Sequence, residues 1–182
     1  LLSSNEASLK YFLMGSFASG FLLMGIALIY GAAGSFSLND ISEYIRSGGS
    51  DVSMLFVLGV LFLVIGLAFK LSVAPFHFWS PDVYEGSPTL ITAFMSTIVK
   101  TAALGAFLRL FYLSYGSEIT SQLTILLSAL AILTMTIGNI TALYQKNFKR
   151  LLAYSGISHA GYLLIAVVIL GQTAFNAAFY YL

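Results

Sequence analysis

The chain has 182 residues, of which 59% are hydrophobic and only 8% charged, and its formal net charge is +1. Soluble domains carry roughly 25% charged residues, so this composition excludes a water-covered globular domain and points to a lipid environment. There is no cysteine, which excludes disulfides, thiolate zinc sites and iron–sulfur clusters held by this chain. The near-neutral balance leaves no basic patch for nucleic acid.

A spanning helix needs ~20 apolar residues, and the chain divides into about five such runs plus the beginning of a sixth. The first is predicted over 9–32. Its start does not fit a signal peptide, because Glu6 and Lys10 stand where a basic segment and a short apolar core are needed. Gly15, Ser16, Ser19 and Gly20 form two interleaved small-xxx-small pairs, which predict a packing seam. A polar loop is expected over 34–51. The second span starts near Ser53, runs apolar to Phe69, meets Lys70 and Pro75, and is read as interrupted there, with its remainder reaching 84. The third is predicted over 88–112, the fourth over 121–143, the fifth over 149–170, and a sixth begins at 173. The runs do not alternate as barrel strands would, so the fold class is an all-α polytopic membrane protein. The chain opens on Leu-Leu and stops inside an apolar stretch, as expected of one part, residues 1–182, of a longer polytopic protein.

Lys10, Lys146, Lys149 and Arg150 gather at the end where the first span begins. By the positive-inside rule that end, called side X below, is cytoplasmic or its organellar equivalent.

Few residues could carry chemistry. Lys100 lies 12 positions after Pro88, about 18 Å into its helix at ~1.5 Å per residue, where an ammonium costs at least ~2.5–3.5 kcal/mol. Thr92, Ser96 and Lys100 recur every four residues with Thr97 and Thr101 beside them, and are expected on one inward face. Burial penalises the ammonium, so its charged and neutral forms approach in energy, as a proton relay needs; the plain alternative is a lysine ion-paired for packing. Lys70 stands beside Pro75, which removes a donor and clashes with the Leu71 carbonyl. An interrupted helix in lipid must line a cavity or be covered by protein. The alternative for Lys70 is an interfacial lysine in an aromatic belt. Tyr154, Ser155, Ser158, His159 and Tyr162 are expected on one face of the fifth span, and His159, about 15 Å inside, can pass a proton between its two nitrogens or simply pack. Glu6 and Lys10 form an i, i+4 pair, either solvated or biasing a buried lysine. His77 shares a face with Lys70 only if the helix survives Pro75. Asp82 and Glu85 read as proton-entry or loop charges, Asn139 as a helix–helix hydrogen bond, and Arg109 as snorkelling.

The run Phe69-Lys70-Leu71-Ser72-Val73-Ala74-Pro75-Phe76-His77-Phe78-Trp79-Ser80-Pro81-Asp82-Val83-Tyr84-Glu85-Gly86, with Lys100 thirty residues beyond Lys70, resembles the signature of the antiporter-like membrane subunits of respiratory complex I. The stretch from Asn147 through Lys149-Arg150-Leu151-Leu152-Ala153-Tyr154-Ser155-Gly156-Ile157-Ser158-His159 to Tyr162 resembles a later motif of that family. The opening Glu6-Ala7-Ser8-Leu9-Lys10-Tyr11 and the Asp82–Gly86 run are closest to its proximal, N-type branch. The resemblance implies roughly the middle third of a 14-helix subunit, with Lys70 at the break of a discontinuous helix and Lys70, Lys100 and His159 on a central hydrophilic axis. Glu6, Lys10 and His77 would be accessory, and Glu6 would match a second glutamate rather than the family's first. The implied function is proton translocation within an NADH:quinone oxidoreductase, in the bacterial inner membrane or an equivalent energy-coupling membrane. The implied partners are other complex I membrane subunits, the lipid bilayer and protons. No cofactor or metal is expected on this chain; NADH, FMN, iron–sulfur clusters and quinone would sit on other subunits. A related sodium/proton antiporter or membrane-bound hydrogenase subunit shares these motifs. A haem carrier ligated by His77 and His159 is disfavoured by their different expected depths, and a scaffold using the lysines as ion-paired glue stays open.

Overall fold

The computed structural model describes residues 2–48, 52–114, 120–169 and 171–182, and the described residues form helices and their connections without strands. The expected connections at 49–51 and 115–119 and the expected helix end at 170 lie outside the described residues. Among the described residues, five helical stretches are long and apolar enough to cross a membrane: Leu2–Ala33, Met54–Leu71, Thr89–Phe111, Leu123–Leu143 and Phe148–Ile169.

Helix α1 (Leu2–Ala33) begins seven residues before the predicted start. Its polar first turns are stabilised by a neighbour: Ala7 is buried, and Gly86 sits so close that an added Cβ would lie 2.6 Å from the Ser3 carbonyl oxygen. The predicted loop after it contains a further helix, α2 (Leu38–Gly48), which buries Ile41 and Ile45. Ser37 and Asp40 stand three apart at its start, and the Asp40 carboxylate accepts from the Ser35 hydroxyl at 2.6 Å. This Ser-x-x-Asp spacing is a helix-start signal that the polar composition of the segment conceals.

Helix α3 (Met54–Leu71) starts at Ser53, whose side chain accepts from the Phe56 N–H at 3.3 Å. It runs antiparallel to α1 and meets it at glycines. A Cβ on Gly25 would lie 2.7 Å from the Gly59 carbonyl, and one on Gly66 2.8 Å from Leu22. The predicted seam is elsewhere: Gly15 and Gly20 meet nothing within 4 Å. Small residues permit close approach without requiring it, and here the approach falls where α3 also offers a glycine.

The second span is interrupted as the sequence suggests. Ser72 takes a left-handed backbone (φ 61°) that ends α3, and a short helix α4 (Trp79–Gly86) resumes after the turn containing Pro75. Helix α1 serves as a ruler for depth. Its Lys10 is level with Asp82 of α4, and its Ala18 packs with Phe69 and Trp79 at the break. Those eight residues are ~12 Å, and the remaining fifteen to Ala33 are ~22 Å. The break is therefore well inside a bilayer core of ~30 Å, and α4, eight residues long, covers the ~12 Å back to the side-X surface.

The third span is one run of helix with a local defect: α5 (Thr89–Phe94), a π-helical turn (Met95–Val99) and α6 (Lys100–Ser114). Helices α7 (Thr120–Leu143) and α8 (Phe148–Ile169) pack closely, with Gly138 against Ser158 and Gly161 against Met135. Helix α9 (Gln172–Tyr181) follows, within a residue of the expected start of the sixth span.

Candidate functional site: a buried lysine beside an interrupted helix

Lys100 is 8% exposed and among the buried polar residues. It follows the π turn directly, and its ammonium donates to the Gly156 carbonyl of α8 at 3.0 Å. The glycine leaves room for it: a Cβ at 156 would lie 3.3 Å from Lys100 Nζ and press the ammonium aside by a few tenths of an ångström. The same ammonium lies 5.9 Å from the centre of the Tyr84 ring, within cation–π range. A cavity of about 490 Å3 opens beside it, lined on its polar side by Ser96, Thr97, Lys100, Thr101, His159 and Tyr181.

The π turn corrects one expectation. Thr92 does not join Ser96 and Lys100 at the cavity. Its hydroxyl donates to the Tyr84 carbonyl at 3.1 Å and the Pro88 carbonyl at 3.3 Å. A π turn inserts extra residue per turn, so the four-residue register that predicts one face is lost across 95–99. The Ser96 and Thr97 hydroxyls both bond back to the Ala93 carbonyl, at 3.0 and 2.8 Å.

His159 reaches this cavity from α8, with its Nδ1 2.7 Å from the Tyr181 hydroxyl of α9. The predicted stripe on α8 is split. Ser158 is buried against α7, donating to Asn139 Oδ1 at 3.0 Å, whereas His159 is exposed. Successive helical residues differ by about 100°, so neighbours 158 and 159 serve different sides, and Asn139 makes the helix–helix bond expected of it.

Lys70 is half-buried in the last turn of α3 and does not line the Lys100 cavity, although Leu71 does. Across the break lies a second cavity of about 490 Å3, apolar, lined by Leu13, Phe17, Phe69, Pro75, Phe78 and Trp79. His77 is buried in the break at 4% exposure, its ring tilted against Phe78 with centroids 4.5 Å apart. It stands in the turn outside both helices, so it does not extend the face of Lys70.

Two contacts hold the break. The Trp79 indole N–H donates to the Phe69 carbonyl at 3.0 Å, and the Ala74 N–H donates to the Thr134 hydroxyl of α7 at 3.0 Å. Thr134 is fully buried. Sequence reading missed it because a lone threonine in an apolar run carries no signal of its own.

At side X the expected charges form one layer. Lys10 Nζ lies 2.7 Å from Glu6 and 2.8 Å from Asp82. Arg150 lies 2.7 Å from Asp82 and 2.9 Å from Glu85. Asn147 donates to Glu85 at 2.7 Å, and Lys149 to the Ser87 carbonyl at 2.9 Å. Glu6 and Lys10 are thus a pair in a layer that joins α1, α4 and α8. No group of three or more potential metal ligands occurs among the described residues.

A buried lysine beside one helix defect and a half-buried one beside another, in a bundle of helices long enough to span lipid, define a polytopic membrane protein with polar groups in its interior. Residues 2–182 match the transmembrane family described as NADH:quinone oxidoreductase/Mrp antiporter, and the chain belongs to that family. It is 52% identical to the NADH-quinone oxidoreductase subunit N of Cytophaga hutchinsonii, over 100% of this chain and 38% of that protein. A chain in respiratory complex I from Thermus thermophilus, solved with bound aureothin, is 46% identical with a TM-score of 0.73, over 89% of this chain and 34% of that one. A chain of the membrane-bound sulfane sulfur reductase, an archaeal respiratory membrane complex, is 35% identical with a TM-score of 0.86, over 100% of this chain and 37% of that one. The chain thus spans little more than a third of the length of the relatives it matches.

Proposed function

We propose that this chain is the proton-translocating core of an N-type membrane subunit of NADH:quinone oxidoreductase. Lys100 carries the reading. A lysine at 8% exposure in an apolar helix, with one carbonyl partner and a polar cavity beside it, has a charged form stabilised enough to exist and a neutral form within reach. It takes up and releases a proton, and no carboxylate among the described residues pairs with it to fix its charge. Lys70 at the break and His159 at the cavity extend the path on either side, and Glu6, Lys10 and His77 are accessory to it. Electron transfer from NADH to quinone takes place on other subunits, which carry FMN, the iron–sulfur clusters and the quinone site. This chain supplies no redox group and responds electrostatically. Other membrane subunits of the complex are its partners, and the bacterial inner membrane its location, with side X facing the cytoplasm.

The test is Lys100→Ala in the complete subunit within its complex, reconstituted in liposomes. Proton pumping and coupled quinone reduction fall while the complex assembles. Unchanged pumping in this variant and in Lys70→Ala, with assembly intact, rejects the proposal. The likeness to the archaeal reductase chain, with its TM-score of 0.86, supports a second reading, a subunit of a related antiporter-type or membrane-bound hydrogenase complex. Transport that depends on sodium in the parent complex would select it.

A further inference from the structure

The ammonium of Lys100 meets two groups that can stabilise its charge. One is the Gly156 carbonyl at 3.0 Å. The other is the ring of Tyr84 in α4, over which Nζ lies 5.9 Å from the centroid. The negative face of an aromatic ring attracts a cation within ~6 Å, and the attraction is stronger where both are desolvated. That condition holds here, with Tyr84 at 2% and Lys100 at 8% exposure. The Tyr84 hydroxyl has no hydrogen-bond partner among the described residues, so what this side chain offers the ammonium is its ring.

The ring is braced from several elements. The Thr92 hydroxyl, eight residues before Lys100 in the same helical run, donates to the Tyr84 carbonyl at 3.1 Å. Trp79 meets Tyr84 nearly edge-on, with centroids 6.1 Å apart and planes at 79°. Tyr11 of α1 packs on Trp79 in turn, at 5.2 Å. Asp82 and Glu85 of α4 are ion-paired to Arg150 of α8, and Asp82 also to Lys10 of α1. Helices α1, α5 and α8 thus fix where α4 presents the ring. A ring face differs from a carboxylate in one respect that matters for an exchanging amine. It favours the charged form, yet it carries no net charge and leaves no buried ion unpaired when the proton departs.

We propose that Tyr84 is a positioning residue for Lys100: its ring face holds the charged amine at the Gly156 carbonyl, and its hydroxyl is dispensable for this. The Thr92 hydroxyl serves the same end by fixing the Tyr84 backbone. This rests on the proposed role of Lys100 and adds to it a group that is neither a lysine nor a histidine.

The experiment separates the shape of the ring from its charge distribution. Complete complexes are reconstituted in liposomes, and proton pumping is measured for Tyr84→Phe, Tyr84→Leu and Lys100→Ala. It is also measured with Tyr84 replaced by phenylalanine bearing one, two or three ring fluorines. Fluorine draws electron density from the ring face with little change of shape, so it weakens the attraction stepwise. Tyr84→Phe should pump close to the parent rate and Tyr84→Leu several-fold more slowly. Each added fluorine should lower the Tyr84→Phe rate by a similar factor. The same fluorines at Phe107, fully buried seven residues beyond Lys100, should change nothing. Full pumping in Tyr84→Leu overturns the proposal, as does a Tyr84→Phe rate as low as that of Tyr84→Leu. Fluorinated variants that pump like Tyr84→Phe, or equal losses at Phe107, overturn it too, and the fluorine series decides even where Tyr84→Leu does not assemble. If Lys100→Ala abolishes pumping while fluorination at 84 changes nothing, only the role of Tyr84 fails. If Lys100→Ala pumps normally, the underlying function fails instead.

Discussion

Thr134 provides the most direct test of how the break is held. Its hydroxyl accepts from the Ala74 N–H at 3.0 Å and donates to the Leu130 carbonyl at 2.5 Å, with both Thr134 and Ala74 at 0% exposure. Replacing it with valine preserves the shape and removes the oxygen. The Leu130 carbonyl stays within a continuous helix, so the group orphaned is the Ala74 N–H. A buried donor left without a partner costs ~1–3 kcal/mol. If that cost falls on the local opening of the turn, amide exchange in 72–78 speeds by roughly 5- to 150-fold. Hydrogen–deuterium exchange of the complete complex, read by mass spectrometry on peptides from the break, measures it. Thr134→Ser keeps the oxygen and should exchange close to the parent. Equal exchange in the valine variant, or equal acceleration in both variants, would refute the idea that this one hydroxyl holds the turn.

Other outcomes follow from the same geometry. Gly25→Ala drives a Cβ to 2.7 Å from backbone atoms of Gly59 and Leu63, and overpacking of this kind costs ~1–3 kcal/mol, seen as a lower thermal midpoint. Gly20→Ala meets nothing within 4 Å and should be neutral or slightly stabilising, since alanine favours helix over glycine by ~1 kcal/mol. Gly156→Ala places a Cβ 3.3 Å from Lys100 Nζ, so it should reduce pumping by less than Lys100→Ala does, with assembly retained. Asp82→Asn loosens Lys10 and Arg150 together, yet these side chains are about a third exposed; solvent-screened pairs of this kind contribute little, so the fall in the thermal midpoint should be small and should shrink in high salt.

Long-range apolar patterning was the legible part of the fold. Five spans and the start of a sixth follow from runs of apolar residues, because length and hydropathy alone decide whether a helix can cross lipid. Pro75 made the interruption legible too. What stayed hidden depends on partners distant in sequence. α2 was hidden by its charges, although Ser37, Asp40 and the buried pair Ile41 and Ile45 carry a helical signal. The π turn has no sequence signature that separates it from the flanking α-helix, and it breaks the register between Thr92 and the cavity-lining Ser96 and Lys100. Thr134 and Gly156 serve residues 60 and 56 positions away, and a single chain read end to end contains no trace of such pairing. Lys100 was legible for the opposite reason: an ammonium in an apolar run is conspicuous wherever its partner is found.

The position of both lysines next to backbone irregularities has a physical cause. In a regular helix every interior carbonyl already accepts a backbone N–H, which leaves it at most one further lone pair for a buried ammonium. Lys70 stands two residues before the left-handed Ser72, and Lys100 directly follows the π turn. Each irregularity changes the side-chain register beside a lysine. Lys100 takes the Gly156 carbonyl of α8, where the missing side chain leaves room for its ammonium. One neutral acceptor stabilises an ammonium far less than a carboxylate does. A full ion pair would hold the charge in place and end proton exchange; an unbroken helix with no acceptor would make the charge too costly to form. The defect-plus-carbonyl arrangement lies between these limits, which is where the proposed proton transfer needs the amine to be.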